Sequence, residues 1–265
     1  MIIELFGAPG AGKTTFAHAL TTRLQESGHI VQPMLSNRPS EGGSASPAGR
    51  RVVAVPRRLS RPFIEVLAIA CHPFALSHDI GAVVGLMKIL PPQNAIVAMR
   101  LSQYILRLSH SWRRASAAEH IVLFDQAFLQ LICSLVLLGR SADESLVAHA
   151  LDAAPRPDLA IRIDTPPDVL ETRLKDRASQ QSVLERLFEL DLDTNLKSIV
   201  IIDQLYRLLI DRSQLIVSAS SLDRQSINES VRAIERTLAA QLDAERKPAT
   251  RPEVRETKPM NKLAT

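Results

Sequence analysis

Ile2-Ile3-Glu4-Leu5-Phe6-Gly7-Ala8-Pro9-Gly10-Ala11-Gly12-Lys13-Thr14-Thr15 is the stretch on which the fold turns. A short, mostly apolar run ends at Gly7, and a helix-compatible segment, Thr14–Ser27, follows and stops at Gly28. The first run reads as a buried strand and the second as a helix, so the glycines occupy a strand-to-helix turn. Gly7, Gly10 and Gly12 permit a tight backbone path there. Successive N–H groups can then point inward as a nest, and the helix N-terminus adds positive potential for an anion.

The spacing Gly7-x-x-x-x-Gly12-Lys13-Thr14 in this context is that of a P-loop. Lys13 is expected to reach the β- and γ-phosphates of ATP, and Thr14 to offer its hydroxyl to Mg²⁺. Thr15 is expected at the α-phosphate, with Ala8, Pro9 and Ala11 completing the loop. A glycine-rich turn that binds nothing is the bland alternative.

Working outward, His29–Leu35 is a second strand candidate, and Ser36–Gly49, rich in Ser, Gly and Pro, reads as a loop. Its continuation carries Arg50, Arg51, Arg57, Arg58 and Arg61, which suit a phosphate or simply a solvated basic face. Residues 61–118 read as a helical insert, with Leu101, Ile105, Leu108 and Trp112 at helical spacing on a buried face. Ile121–Phe124 is a third apolar strand and ends at Asp125. A carboxylate there can orient Mg²⁺ or hold an acceptor, while a helix cap for Gln126–Leu138 is its structural alternative.

Ser141-Ala142-Asp143-Glu144 matches a capping box opening a helix to about Asp152. Leu159–Ile163 is a fourth strand, Thr165-Pro166-Pro167-Asp168 opens another helix, and Leu215–Val217 is a short fifth strand before Ser218-Ala219-Ser220-Ser221. Ile227, Val231, Ile234 and Leu238 share one face of a last helix. The alternation predicts an α/β three-layer sandwich of the P-loop NTPase type, with a central parallel sheet of about five strands and an inserted helical lobe. One domain over 1–240 is expected, with 241–265 a disordered basic tail.

The chain has 265 residues, 46% hydrophobic, and a formal charge of +4, enough to bury a full core and compatible with phosphate-rich ligands. Cys71 and Cys133 lie in apolar runs without metal-ligand spacing and read as buried free thiols. The histidines show no H-x-x-x-H spacing, so no metal is assigned to them. No segment offers the roughly 20 uninterrupted apolar residues of a membrane span, and peripheral membrane contact by 63–90 stays an open alternative. The N-terminus lacks the features of a secretory signal, and a cytoplasmic location is expected.

Taken together, Gly7–Thr15, Phe124-Asp125-Gln126, the run from Ile163 through Arg177, and Val217-Ser218-Ala219-Ser220 resemble the nucleoside and nucleotide kinases, most closely thymidylate kinase. The resemblance implies that Asp125 contacts acceptor and metal. It implies that Arg173 and Arg177 are lid-side arginines neutralising the transferring phosphoryl group, and that Ser218, Ala219 and Ser220 form the adenine-side loop. Glu171 and Lys175 paired on a solvated helix offer the plain alternative for that segment. Gln126 stands where thymidylate kinases usually carry an arginine, and the 63–116 stretch is longer and more apolar than their acceptor region.

The expectation is a small-molecule kinase using ATP and Mg²⁺ on an unidentified acceptor. The apolar lobe leans it away from nucleoside monophosphates. An ATPase or nucleotide-dependent switch acting on a partner, with Gln126 orienting water, is the alternative. Nucleic acid is disfavoured by one Trp and two Tyr without basic–aromatic interleaving. A homodimer is compatible with the sequence.

Overall fold

The computed structural model describes residues 1–35, 81, 83–139, 143–180 and 192–246, with backbone alone for 177–180, 192–196 and 242–246. The expectations for the 36–61 loop and its arginines, for Cys71, for Ser141 and for the tail beyond 246 lie outside the described residues, as does part of the 61–118 insert.

Five strands, β1 (Ile2–Phe6), β2 (Val31–Met34), β3 (Ile121–Phe124), β4 (Leu159–Asp164) and β5 (Ile216–Ser220), form one parallel sheet in the order β2-β3-β1-β4-β5. The helices are α1 (Lys13–Glu26), α2 (Ala95–Ser116), α3 (Phe128–Leu137), α4 (Glu144–Ala153), α5 (Pro167–Gln180), α6 (Leu192–Asp211) and α7 (Arg224–Arg246). β1 and β3 are buried at every position because helices cover both faces, which is why they read as unbroken apolar runs.

Alternate residues of the strands feed two cores. Ile3, Leu5, Leu123 and Ile161 pack with Phe16 and Leu20 of α1 and Ile234 of α7. Ile2, Phe6, Val122 and Phe124 pack with residues of α2, α3, α4 and α6. Hence the helix that follows β1 and the helix that follows its neighbour β3 leave to opposite faces. That divergence opens a crevice at the carboxyl ends of β1 and β3, where α/β sheets of this kind place ligands.

α2 shows why the 95–116 pattern is amphipathic. Its N-terminus is capped by Asn94, which accepts from the Val97 N–H at 2.9 Å, and Leu101, Ile105, Leu108 and Trp112 are buried. The Trp112 ring stacks on Phe124 and meets Phe128 edge-on, with centroids 5.3 Å apart in both cases. Most of the apolar face of this stretch therefore serves the core, while Ile96 and Met99 near its start are exposed.

Several boundaries differ from expectation. α3 begins at Phe128 rather than Gln126, because Asp125–Ala127 form a bend. Asp143 caps α4, accepting from the Ser145 N–H at 2.9 Å. β5 runs on to Ser220 because its pairing with β4 continues to Asp164↔Ser220. α7 extends to Arg246, six residues beyond the expected end at Ala240, through Gln, Leu, Ala, Glu and Arg, which favour helix.

Candidate active site

The loop between β1 and α1 is shaped by close contacts that only glycine allows. A Cβ on Gly7 would stand 2.7 Å from the Ile163 carbonyl oxygen of β4. At Gly12 it would stand 2.5 Å from Ser221 Oγ, and there φ is +89° as well, in the left-handed region. The loop is thus wedged between β4 and the segment after β5. Ala8 and Ala11 point their methyl groups into the core, so they can serve a ligand only through main-chain N–H groups. Pro9 has no N–H and contributes only shape.

Lys13 is buried, and its ammonium donates to the carbonyls of Gly7 at 2.8 Å and Ala8 at 3.0 Å. It lies folded over the loop that it is expected to serve. Thr14 donates its hydroxyl to Asp125 Oδ2 at 3.0 Å. Asp125 is fully buried, and the N-cap residue of α3 is Ala127, which provides no side-chain hydrogen bond. The hydrogen bond from Thr14 to Asp125 brings a hydroxyl and a carboxylate oxygen together at the mouth of the loop, a donor set that suits Mg²⁺.

Arg173 reaches across from α5. Its guanidinium donates to Gly10 O at 3.3 Å, to Ser221 O at 2.8 Å and to Leu222 O at 2.9 Å. One side chain thereby ties the glycine loop to the segment that follows β5. Arg177 lies on the same helix, with its side chain outside the described residues.

Ser218, Ala219 and Ser220 belong to β5 rather than to a loop, a correction that follows from its extended pairing with β4. Ala219 is buried, and the Ser220 N–H donates to Ser230 Oγ at 3.0 Å. The residues that reach the site are the next ones along: Ser221, Leu222 and Asp223. Asp223 caps α7, accepting from the Ser226 N–H at 2.7 Å, and this bond, with the Ser226 hydroxyl, holds its carboxyl below the usual range.

Between the glycine loop, Arg173 and the start of α7 opens a cleft of about 970 Å³. Lys13, Thr14, Thr15 and Gln126 line its inner end, and Arg224, Asn228 and Arg232 of α7 line its outer wall. Its size and its basic lining fit a nucleoside triphosphate.

Sequence reasoning missed four residues. Thr165 donates to Ala11 O at 3.2 Å, and Gln130 accepts from the Gly7 N–H at 3.4 Å. Ser221 is buried against Gly12. Glu4, in the middle of β1, is fully buried, with Oε1 accepting from the Leu129 N–H at 2.6 Å. Burial pushes its carboxyl up to about 8 against the lowering effect of the amides in the first turn of α3. Burial, then the charges of Glu4 and Asp125, also raises the Tyr104 hydroxyl, which places that α2 residue near both carboxyls. Cys133 is the buried free thiol expected, pushed up to about 12 by burial. Among the described residues no cluster could hold a metal through His, Cys, Asp and Glu alone, and no helix is long and apolar enough to cross a membrane.

No family model matches the chain. It is 26% identical over 185 residues to thymidylate kinases from three strains of Xanthomonas campestris pv. campestris, a match covering 70% of this chain. The chain spans about 65% of the length of those curated relatives. Among solved structures, deoxyadenosine kinase from M. mycoides with bound dCTP covers 91% of this chain and 100% of its own, at 14% identity and a TM-score of 0.47. The same kinase with products dCMP and a flexible dCDP gives 14% and 0.45 at the same coverage. The sequence likeness and the parallel five-stranded sheet agree with a P-loop nucleoside or nucleotide kinase fold.

Proposed function

We propose that this chain is a phosphotransferase that moves the γ-phosphate of Mg-ATP to a nucleoside or nucleoside monophosphate. The observation that carries this reading is the 3.0 Å bond between Thr14 and Asp125, which brings the start of the P-loop helix to a buried carboxylate at the end of β3. Thr14 and Asp125 would hold Mg²⁺, which when bound screens the charge of the phosphates. Lys13, released from Gly7 O and Ala8 O, binds the outer phosphates. The glycine loop orients them through its N–H groups, and Asp125 positions the acceptor.

Arg173 and Arg177 are assigned to the phosphoryl oxygens, and Arg173 also holds Ser221 and Leu222 beside the base of the donor. Ser221, Leu222 and Asp223 take the adenine-side place that the sequence assigned to Ser218, Ala219 and Ser220.

The apolar lobe 61–118 argued against a nucleoside monophosphate, but in its described helix α2 the residues Leu101, Ile105, Leu108 and Trp112 are buried in the core, and that part of the apolar character needs no acceptor to account for it. What α2 brings near Asp125 is Tyr104, with Arg107 lying 5.8 Å from its ring. Those groups suit a polar, phosphate-bearing acceptor, in keeping with the name carried by the thymidylate kinase relatives.

Gln126 lines the cleft and keeps a second reading open, an ATPase or switch in which it orients water. ADP release from Mg-ATP, measured with nucleosides, nucleoside monophosphates including dTMP, sugars and lipid-linked alcohols, separates the two. Stimulation by a nucleoside or nucleotide, lost in Lys13→Ala, is the expected result. Acceptor-independent hydrolysis with the same loss would favour the switch, and absence of nucleotide binding would sink both.

A further inference from the structure

The bend Asp125–Ala127 is held at both ends by a single residue of another strand. Glu4 pairs through its main chain with Phe124, the residue immediately before the bend. Its side chain reaches the first turn of α3, where Oε1 accepts from the Leu129 N–H at 2.6 Å. α3 has no means of its own to satisfy that turn. Its N-cap residue Ala127 supplies no side-chain bond, and its first turn carries no acidic residue. Ala127, Phe128 and Leu129 are buried, so water cannot serve the exposed N–H groups either. A carboxyl lent by β1 fills the place that a capping side chain normally takes, at the positive end of the helix.

One residue further on, Gln130 accepts from the Gly7 N–H, so the same turn of α3 is also tied to the glycine loop. The Glu4 carboxyl faces the α3 amides and has Tyr104 of α2 near it, and Tyr104 in turn lies near Asp125 and Arg107. The geometry points to Glu4 as a positioning residue that sets the Asp125 bend, and through it the metal-binding end of the site, without touching nucleotide or metal. This inference rests on the Mg-ATP reading of the site.

The test compares Glu4→Leu, which removes the acceptor, with Glu4→Gln, which keeps an oxygen facing Leu129. Calorimetric binding of ATP is measured with Mg²⁺ and again in EDTA. Glu4→Leu is expected to weaken Mg-ATP binding about tenfold, in line with other residues that orient metal ligands, and to leave metal-free ATP binding nearly unchanged. Glu4→Gln is expected to retain the wild-type values. Equal losses with and without Mg²⁺, or none in Glu4→Leu, would reduce Glu4 to core filling. Hydrogen exchange without nucleotide separates this inference from the one beneath it. Protection at Leu129 and Gln130 should fall in Glu4→Leu and persist in Glu4→Gln, whether or not ATP binds, and unaltered protection in Glu4→Leu overturns the clasp.

Discussion

Thr14 and Asp125, 111 residues apart in the chain, meet through a 3.0 Å hydrogen bond from the threonine hydroxyl to the carboxylate. Replacing the carboxylate while keeping its shape tests what the pair is for. Asp125→Asn retains a hydrogen-bond acceptor for Thr14 but removes the charge, and should lower turnover on the order of a hundredfold. Nucleotide binding measured in EDTA should scarcely change. Full turnover in Asp125→Asn would contradict the metal role.

Gly12 combines a left-handed backbone with a close neighbour, and the two can be separated. Gly12→Ala should destabilise the fold and abolish ATP binding. Adding Ser221→Gly removes the oxygen that the new methyl meets, but roughly 1–2 kcal/mol of left-handed strain stays. Denaturant melts of the single and double variants should therefore show partial rescue. Complete rescue would mean that the strain counts for little.

The three bonds of Arg173 to main-chain oxygens suggest a kinetic signature different from that of a purely charge-neutralising arginine. Arg173→Ala should raise the KM for ATP about tenfold, with a smaller fall in kcat, because uniform donor binding is lost. A fall in kcat with KM unchanged would assign Arg173 to the transferring phosphoryl group alone.

Glu4 gives the fold a pH dependence of definite sign. Its carboxyl is raised to about 8 from an ordinary 4.5, so between these values the folded chain holds a proton that the unfolded chain has lost. The contribution to stability is whole below about pH 4.5 and disappears as pH rises through about 8. Urea midpoints across pH 5–9 should decline more steeply in the wild type than in Glu4→Gln. Parallel curves would show that Glu4 is ionised in the folded protein.

The parts of the site that could be read from the sequence are those whose meaning is local. Gly7 to Thr15 is one continuous stretch from the end of β1 into α1, and Asp125 follows a run of four apolar residues that could hardly be anything but an interior strand. β5 was cut short because Ser218, Ala219 and Ser220 have little intrinsic preference for a strand, and what holds them there is β4, more than 50 residues earlier. Glu4 and Gln130 gave no signal because each bonds to a main-chain N–H more than 120 residues away. Ser221 matters only because Gly12 has no side chain, a relation that no spacing in the sequence expresses.

Trp112 lies against both Phe124 and Phe128, and these two residues flank the bend that carries Asp125. A ligand that displaced α2 would have to move this aromatic joint, and the carboxylate with it. Acceptor and ATP would then alter each other's affinity by the same factor, whichever arrived first. An order-of-addition binding experiment would reveal that synergy even where neither ligand touches the tryptophan.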